Sequence, residues 1–319
     1  MNSPRLNLRH ALSAWLGLRA PGSDSTSTSD KVEWLRAAPF LLLHLGCLAV
    51  IWVGASATAV WVAVGLYVVR MLAITGGYHR YFSHRTYQTS RAGQFLLAVI
   101  GGASVQRGAL WWAAHHRHHH HASDQADDPH SPRQHGFMTS HVGWFLTGRN
   151  YRTRTELIPD LMRYPELRFL NRHDGLVPVL LGAALYALGA LLANVAPELG
   201  TNGWQMFVWG FCISTVVLYH ATFTINSLSH VLGHRSFETS DDSRNNSVLA
   251  LLTLGEGWHN NHHHYPHSVR QGFRWWQYDI TYMVIRATAL LGLSWKLKPV
   301  PTELRRGQDR ASGSAAKRH

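Results

Sequence analysis

The sequence predicts an all-α integral membrane protein, with four transmembrane helices in two hairpins and a helical cytoplasmic cap that carries a histidine-rich metal site. Three observations predict it. Four apolar stretches interrupt the 319-residue chain, each near the roughly 20 residues that cross a bilayer core. Basic residues avoid two of the three connections between these stretches and crowd the third and both flanking segments. Three histidine strings stand beside the stretches: His79-Arg-Tyr-Phe-Ser-His84, His115-His-Arg-His-His-His-His121 and His259-Asn-Asn-His-His-His264.

The elements follow in chain order. Residues 1–34 read as a cytoplasmic segment and linker. Arg5, Arg9 and Arg19 lie among leucines there without the apolar core of a signal peptide, which suits a short interfacial helix. Residues 21–30 form a Ser/Thr-rich linker. The four spans are expected at 36–55, 57–76, 176–195 and 204–223, with Trp34, Trp52, Trp61 and Trp204 near their ends as an aromatic belt. The turn at 54–58 carries no charge, and the turn at 196–203 carries only Glu198. The positive-inside rule therefore places both termini and every histidine string in the cytoplasm. Arg70, inside span two, reads as a snorkelling side chain or a contact to a substrate headgroup. Residues 94–105 are too short to cross and contain Gly101-Gly102, so they are expected to dip into the interface or pack under the cap. Residues 280–293 carry a helical apolar stripe broken by Arg286 and read as an amphipathic helix on the membrane. The tail over 301–319 reads as disordered. No repeat of fixed period occurs.

Composition narrows the function. The mean hydropathy of −0.12 looks soluble, but 23 His and 30 Lys+Arg offset the apolar spans. Cys47 and Cys212 both fall in predicted spans. That excludes a disulfide framework and a thiolate metal site, and leaves two small buried apolar side chains. The net charge of +12 comes with no nucleic-acid-binding motif. It fits an inner face that contacts anionic lipid and receives an acidic electron carrier or a phosphorylated substrate.

Spacing organises the histidines. His259, His262 and His263 stand at i, i+3 and i+4, one face of a helix. The second string offers the same spacing in His116, His119 and His120, and again in His115, His118 and His119; helical phase alone does not choose. His79 and His84, five apart, diverge on an α-helix unless a bend or helix end intervenes. Asn226 and His230 share a face after span four. His10, His44, His135, His141, His173, His234 and His319 read as polar cap residues or satisfied donors. Eight or nine imidazoles exceed the four ligands of a zinc site. Two redox-active ions with four or five nitrogen ligands each fit the number, and iron suits imidazole and oxygen chemistry.

Several strings together resemble the membrane-bound acyl-CoA (stearoyl-CoA type) Δ9 fatty-acid desaturases, in the form of their bacterial branch. They are residues 76–87, His116-Arg-His-His-His120, Asp128-Pro-His130, Ser140-His-Val-Gly-Trp144, Asn226-Ser-Leu-Ser-His230 and residues 255–263 (GEGWHNNHH). The resemblance spans about residues 35–300, which become the desaturase domain. It implies a mushroom-shaped fold in a bacterial inner membrane with two irons in the cap. By that resemblance one iron takes His79, His84, His116, His120 and His262. The other takes His119, His230, His259 and His263, with Asn226 reached through a water. His115, His118, His121 and His264 become extras at the surface or behind the ligands.

The implied reaction is oxygen-dependent desaturation of a saturated acyl chain, as acyl-CoA or acyl-lipid, to a cis double bond at Δ9. An unactivated methylene has no acidic proton, so the work falls to a metal oxidant. Position along the chain would follow from depth in a tunnel between spans and cap. Tyr67 and Met71 are candidates for its wall, or else ordinary helix packing. Arg91, Arg107, Arg149 and Arg152 are candidates for a phosphate-bearing headgroup, or else solvated loop charge. Asp128 and Glu256 are candidates to hold ligating imidazoles. No haem, iron–sulfur or dinucleotide motif occurs, so electrons are expected from outside, and the basic face would suit an acidic ferredoxin, rubredoxin or cytochrome b5 with a reductase. A fatty-acid or alkane hydroxylase on the same site is the nearest rival. A histidine-rich metal transporter is the rival of another class, and it lacks a polar path through the spans beyond His44 and Arg70.

Overall fold

The computed structural model describes residues 30–306. The expected N-terminal helix with Arg5, Arg9, Arg19 and His10, nearly all of the linker, and the tail from 307 with His319 lie outside the described residues.

Four helices are long and apolar enough to cross a membrane. Helix α1 (Trp34–Cys47) continues after a turn as Val50–Val53. It leaves Leu42, Leu45 and Trp52 exposed, an outward face that hydrocarbon would cover. Helix α2 (Ala57–Leu72) starts at Ser56, whose hydroxyl accepts from the Ala59 amide. It does not stop near residue 76. It winds on through residues Ala73–Ser83 as a π-helix, every residue of which is buried. That extension carries span two into the polar layer, beyond the end the hydropathy predicts.

Helix α3 (Arg91–Gly102) is capped by Ser90 and lies against the π segment. Its buried face is Gln94, Ala98, Gly101 and Gly102, while Phe95 and Leu96 face out. Gly101 meets the Tyr78 ring so closely that a β-carbon would stand 2.1 Å from it. Helix α4 (Ala109–Ala122), the carrier of the second histidine string, packs on the same segment. Ala113 and Ala114 at this contact allow close approach beside Tyr78, Phe82, Leu110, Ile158 and Leu161.

Helices α5 (Phe137–His141) and α6 (Pro165–Arg172) follow, then α7 (Leu176–Val195), the third span. The fourth span starts with Gly203–Met206, passes through a π segment (Phe207–Ile213), and becomes α8 (Ser214–Asn226). It closes in a 3-10 turn over Leu228–His230. Span four packs against spans one, two and three, so it is the shared partner of both expected pairs. The remaining chain supplies α9 (Ser247–Leu252), α10 (His259–His264), α11 (Ile280–Leu290) and α12 (Thr302–Arg306). The last corrects the expectation of disorder from 301, since Leu304 is buried with Phe237, Phe273 and Val300. A short antiparallel pair, β1 (Gln88–Thr89) with β2 (Ser294–Trp295), ties residue 88 to residue 295. Helix α11 buries Thr281 and Ile285 and exposes Met283 and Leu290, the two-faced pattern expected of it.

Arg70 corrects its expectation. It neither snorkels nor meets an open headgroup site. It is buried, donating to Ser214 Oγ at 2.5 Å, Thr215 Oγ1 at 2.7 Å and the Ala103 carbonyl at 3.3 Å. A cation that far from water is kept by neutral acceptors converging from span four and from the end of α3. Cys47 and Cys212 are free thiols in one apolar cluster with Leu43 and Tyr219.

Candidate metal centre

Two short helices deliver most of the site. On α4, His116 and His120 are one turn apart and point to one group, while His119 points to a second. On α10 the same spacing is used in reverse: His259 and His263 join the second group and His262 joins the first. The π segment supplies His79, and His84 caps its end. Bonding from i to i+5 brings residues five apart nearly into line, which is how the pair that would diverge on an α-helix meets. The 3-10 turn after α8 supplies His230. The first group is His79, His84, His116, His120 and His262, and the second is His119, His230, His259 and His263. Within each group the nearest ligand atoms all lie within 4.8 Å of one another.

The alternative phase of the second string is excluded. His115 Nε2 bonds the Arg152 carbonyl at 3.1 Å, and His118 Nε2 bonds the Asp127 carbonyl at 2.9 Å. His264 stacks on Phe237, and His121 is exposed. Of the lone histidines, His44 and His141 do more than cap. They join His220 in a chain from α1 through α8 to α5, with nitrogen separations of 3.1 and 3.0 Å.

Nitrogen distances test whether a cation fits. His262 Nε2 lies 3.0 Å from both His79 Nε2 and His120 Nε2. One hydrogen cannot satisfy two such contacts. His79 Nδ1 faces the Glu256 carboxylate, so its Nε2 carries a lone pair. Two nitrogens each about 2.1 Å from a shared ion at right angles stand about 3.0 Å apart. The pairs His84–His116 at 2.8 Å and His230–His259 at 3.1 Å repeat the pattern.

Carboxylates fix the ring orientations. His119 Nδ1 faces Asp128 at 3.0 Å, His230 Nδ1 faces Asp124 at 2.8 Å, and His263 Nδ1 faces Asp241 at 2.6 Å. Each Nδ1–H donates to an oxygen, so each Nε2 keeps the lone pair a metal needs. Asp128 and Glu256 stand where the sequence expects them. Asp124 and Asp241 hold two further rings, and sequence reasoning did not single them out. Their signal was the clustering of aspartates at residues 124–128 and 241–242. A third triad, His119, Asp128 and His130, shares its first two members with this arrangement; Asp128 serves it as the partner behind His119.

Glu256 is itself held in place. Arg80, buried, donates through Nη2 to Glu256 and through Nη1 to both oxygens of Asp279 at 2.9 and 3.0 Å. Gln271 donates to the second Glu256 oxygen at 2.8 Å. Gly255 before it has φ +131, and a β-carbon there would meet Asp279 at 2.5 Å, so only glycine suits the turn.

Burial sets the protonation. Burial and the neighbouring imidazoles hold His84, His116, His120, His259 and His262 well below the usual histidine range. Burial lowers His263 to about 4 even though Asp241 opposes it. Burial also opposes ionisation of Asp124, Asp128 and Asp241, but their histidine partners hold all three below the carboxylate range. Glu256 is held at about 2 in the same way by His79 and Arg80. His119 runs the other way: burial lowers it, and Asp128 raises it further. A histidine depressed in the folded chain binds its proton earlier when unfolded, so stability falls with pH below about 6.5. Six depressed histidines outweigh His119, whose contribution is present at low pH and fades as pH rises. The metal-free protein is therefore expected to melt at progressively lower temperature from pH 7 down to pH 5, read by a thermal scan after chelation.

A cavity of about 410 Å³ reaches this centre. It lies between α1, the start of α7, α8 and the polar layer, walled by Phe40, Val105, Trp111, Trp112, Tyr219 and Phe223, with His116, His130 and Asn226 also lining it. Among the expected substrate residues only Arg107 lines it. Its guanidinium pairs with Asp174 at 2.5 Å and stacks 3.8 Å from the Tyr151 ring, which Arg36 also meets at 3.7 Å. Tyr67 and Met71 do not line it. Their face of α2 packs on Leu218, Leu254 and Ile280, and Tyr67 donates to the Leu252 carbonyl. Arg149 pairs with Asp30, Arg91 with Glu166 and Arg152 with Glu156, all away from the cavity. Arg36 is the basic residue that sequence reasoning missed, because it reads as the edge of a span.

Asp241→Asn removes the acceptor behind His263 while keeping its size. We expect metal affinity of the four-histidine group to fall roughly 10–100-fold, measured by metal titration, with the fold unchanged.

Comparison with known proteins adds an independent line. The family model described as "Fatty acid desaturase" matches residues 55–296. The sn-1 stearoyl-lipid 9-desaturase of Anabaena variabilis is 35% identical over 277 residues, 86% of this chain and 97% of that one. The acyl-CoA 5-desaturase AL21 of Anemone leveillei is 35% identical over 296 residues, 89% of this chain and 87% of that one. The hex-5-enoyl-[acyl-carrier protein] acetylenase of Moorena producens is 32% identical over 303 residues, 87% of this chain and 90% of that one.

Proposed function

The chain belongs to the fatty acid desaturase family, and from that premise we propose that it inserts a cis double bond at carbon 9 of a saturated acyl chain, using two irons, O₂ and two electrons from an external carrier. The observation that carries this reading is the pair of imidazole groups beside an apolar cavity of acyl-binding size. Charge supports two ions rather than one. Two divalent cations on neutral imidazoles are balanced by Asp124, Asp128 and Asp241 together with the Glu256–Asp279 pair, of which Arg80 offsets one charge.

Iron, when bound, supplies the one-electron chemistry with O₂ that breaking an unactivated C–H bond requires. The protein's own residues do the rest. The aromatic wall holds the chain extended and excludes water, and its depth decides which methylenes lie beside His116. Arg36 and Arg107, paired with Glu33 and Asp174 and stacked on Tyr151, are the cations of the lining and suit the acyl carrier's headgroup. Asp128, Asp124, Asp241 and Glu256 keep His119, His230, His263 and His79, respectively, each in one tautomer. The family resemblance points to coenzyme A, and the sequence itself leaves coenzyme A and lipid both open as the carrier. The relatives' names span lipid, coenzyme A and carrier-protein forms, so one assay should test all three. Cytoplasmic placement of the centre and a ferredoxin, rubredoxin or cytochrome b5 donor belong to the same reading.

The test expresses the chain and a His263→Ala variant in a membrane with a competent electron donor, then maps double bonds. New Δ9 products in the parent alone are expected. An alcohol in their place, or no change in either membrane, sinks the proposal.

A further inference from the structure

The four extra histidines have no role in the centre, yet two of them share a place. A second cavity, about 190 Å³ and polar, is lined by His121 and His264 together with Glu238 and Asp241. Its lining also includes His120 of the five-histidine group and His263 of the four-histidine group. It thus meets both groups, and its lining shares no residue with the acyl cavity.

Its chemistry is that of a divalent-cation path. On a chain of net charge +12, this lining has two carboxylates and no lysine or arginine; Arg235 touches it only from behind, through Thr239. His264 Nδ1 lies 3.3 Å from the Glu238 carbonyl, which can only accept, so Nδ1 carries the hydrogen and Nε2 keeps its lone pair. Stacking on Phe237 at 4.5 Å fixes that ring. His121 is exposed. Deeper in, His263 Nε2 is buried with no partner among the described residues, while Asp241 holds its Nδ1. Imidazole nitrogen and carboxylate oxygen are suitable transient ligands for ferrous iron.

We infer that this pocket is the loading port for iron: Fe²⁺ is gathered at Glu238, His121 and His264, and handed to His263 and His120. The inference rests on the two-iron reading above. It assigns the extra histidines to kinetics rather than to final coordination. It also separates the metal's path from the substrate's.

The test uses the full chain in lipid nanodiscs, stripped of metal with a chelator. Fe²⁺ is added without oxygen, uptake is quenched at intervals, and bound iron is measured directly. The parent is expected to reach two irons per chain. His121→Ala/His264→Ala should reach the same content about tenfold more slowly, and Glu238→Gln should be slower with a weaker salt dependence. Filling the acyl cavity with a saturated substrate should leave the parent's rate unchanged. Equal rates in parent and variants overturn the port. A lower final content in the double variant also overturns it, because those histidines would then be ligands or supports. Should the double variant fail to fold, Glu238→Gln decides by its rate alone. A parent that never binds iron overturns the two-iron reading beneath.

Discussion

His262→Ala is expected to empty the five-histidine group and to cut double-bond formation by more than about a hundredfold, beyond the roughly 10–100-fold cost of losing a carboxylate behind a ligand. The reason is position. His262 Nε2 stands 3.0 Å from both His79 and His120, and its ring also packs against those of His84 and His263. Removing it opens one coordination place and deletes the contact of α10 with His79 on the π segment, along with one of its contacts with α4. His118→Ala is the matched control on the second string. That ring turns away to the Asp127 carbonyl, so its loss should leave double-bond formation within a few-fold of the parent. Iron content and lipid analysis of both variants decide the matter. Equal losses in the two would mean that α4 presents a different face.

The second large effect is on stability. Arg80→Met leaves Glu256 and Asp279 buried without their cation, at a cost of about 3–5 kcal/mol. Arg80 is 1% exposed, and the two carboxylates arrive from different loops, one before α10 and one before α11. The contrast is Arg70→Met, which breaks hydrogen bonds to Ser214 and Thr215 but strands no charge. Such bonds inside membranes average about 0.6 kcal/mol each, so that variant should lose much less. Thermal unfolding of both in the same nanodisc checks the order. A reversed order would sink the view that Arg80 exists to neutralise the carboxylate behind His79.

Part of this site was legible before any coordinates. The i, i+3, i+4 spacing of His259, His262 and His263 is a local property of a helix, and it holds whatever packs around it. The spacing did not choose between His116/His119/His120 and His115/His118/His119. That choice depends on which face of α4 meets the π segment, where Ala113 and Ala114 permit contact. The pairing of His79 with His84 came from the family resemblance, and the bend it needed was hidden from spacing for a different reason. A π-helix continuing from an α-helix leaves no mark in apolar periodicity, and Gly76-Gly77 reads equally well as a span end. Asp124 and Asp241 were missed because they lie 106 and 22 residues from the rings they hold. Tyr67 and Met71 were misplaced because a stripe on one span does not say which neighbour it faces.

Sequence alone determined the four apolar stretches, the blocks of ligating side chains, the want of thiolates and the excess of positive charge, because each follows from residue type and short-range spacing. Tertiary structure decided which imidazoles share a centre, which carboxylates stand behind them, and which helix faces wall the cavity. Those depend on how span four packs the other three and on how a single arginine draws two distant loops together, and such contacts are set by burial over the whole chain rather than by any local pattern.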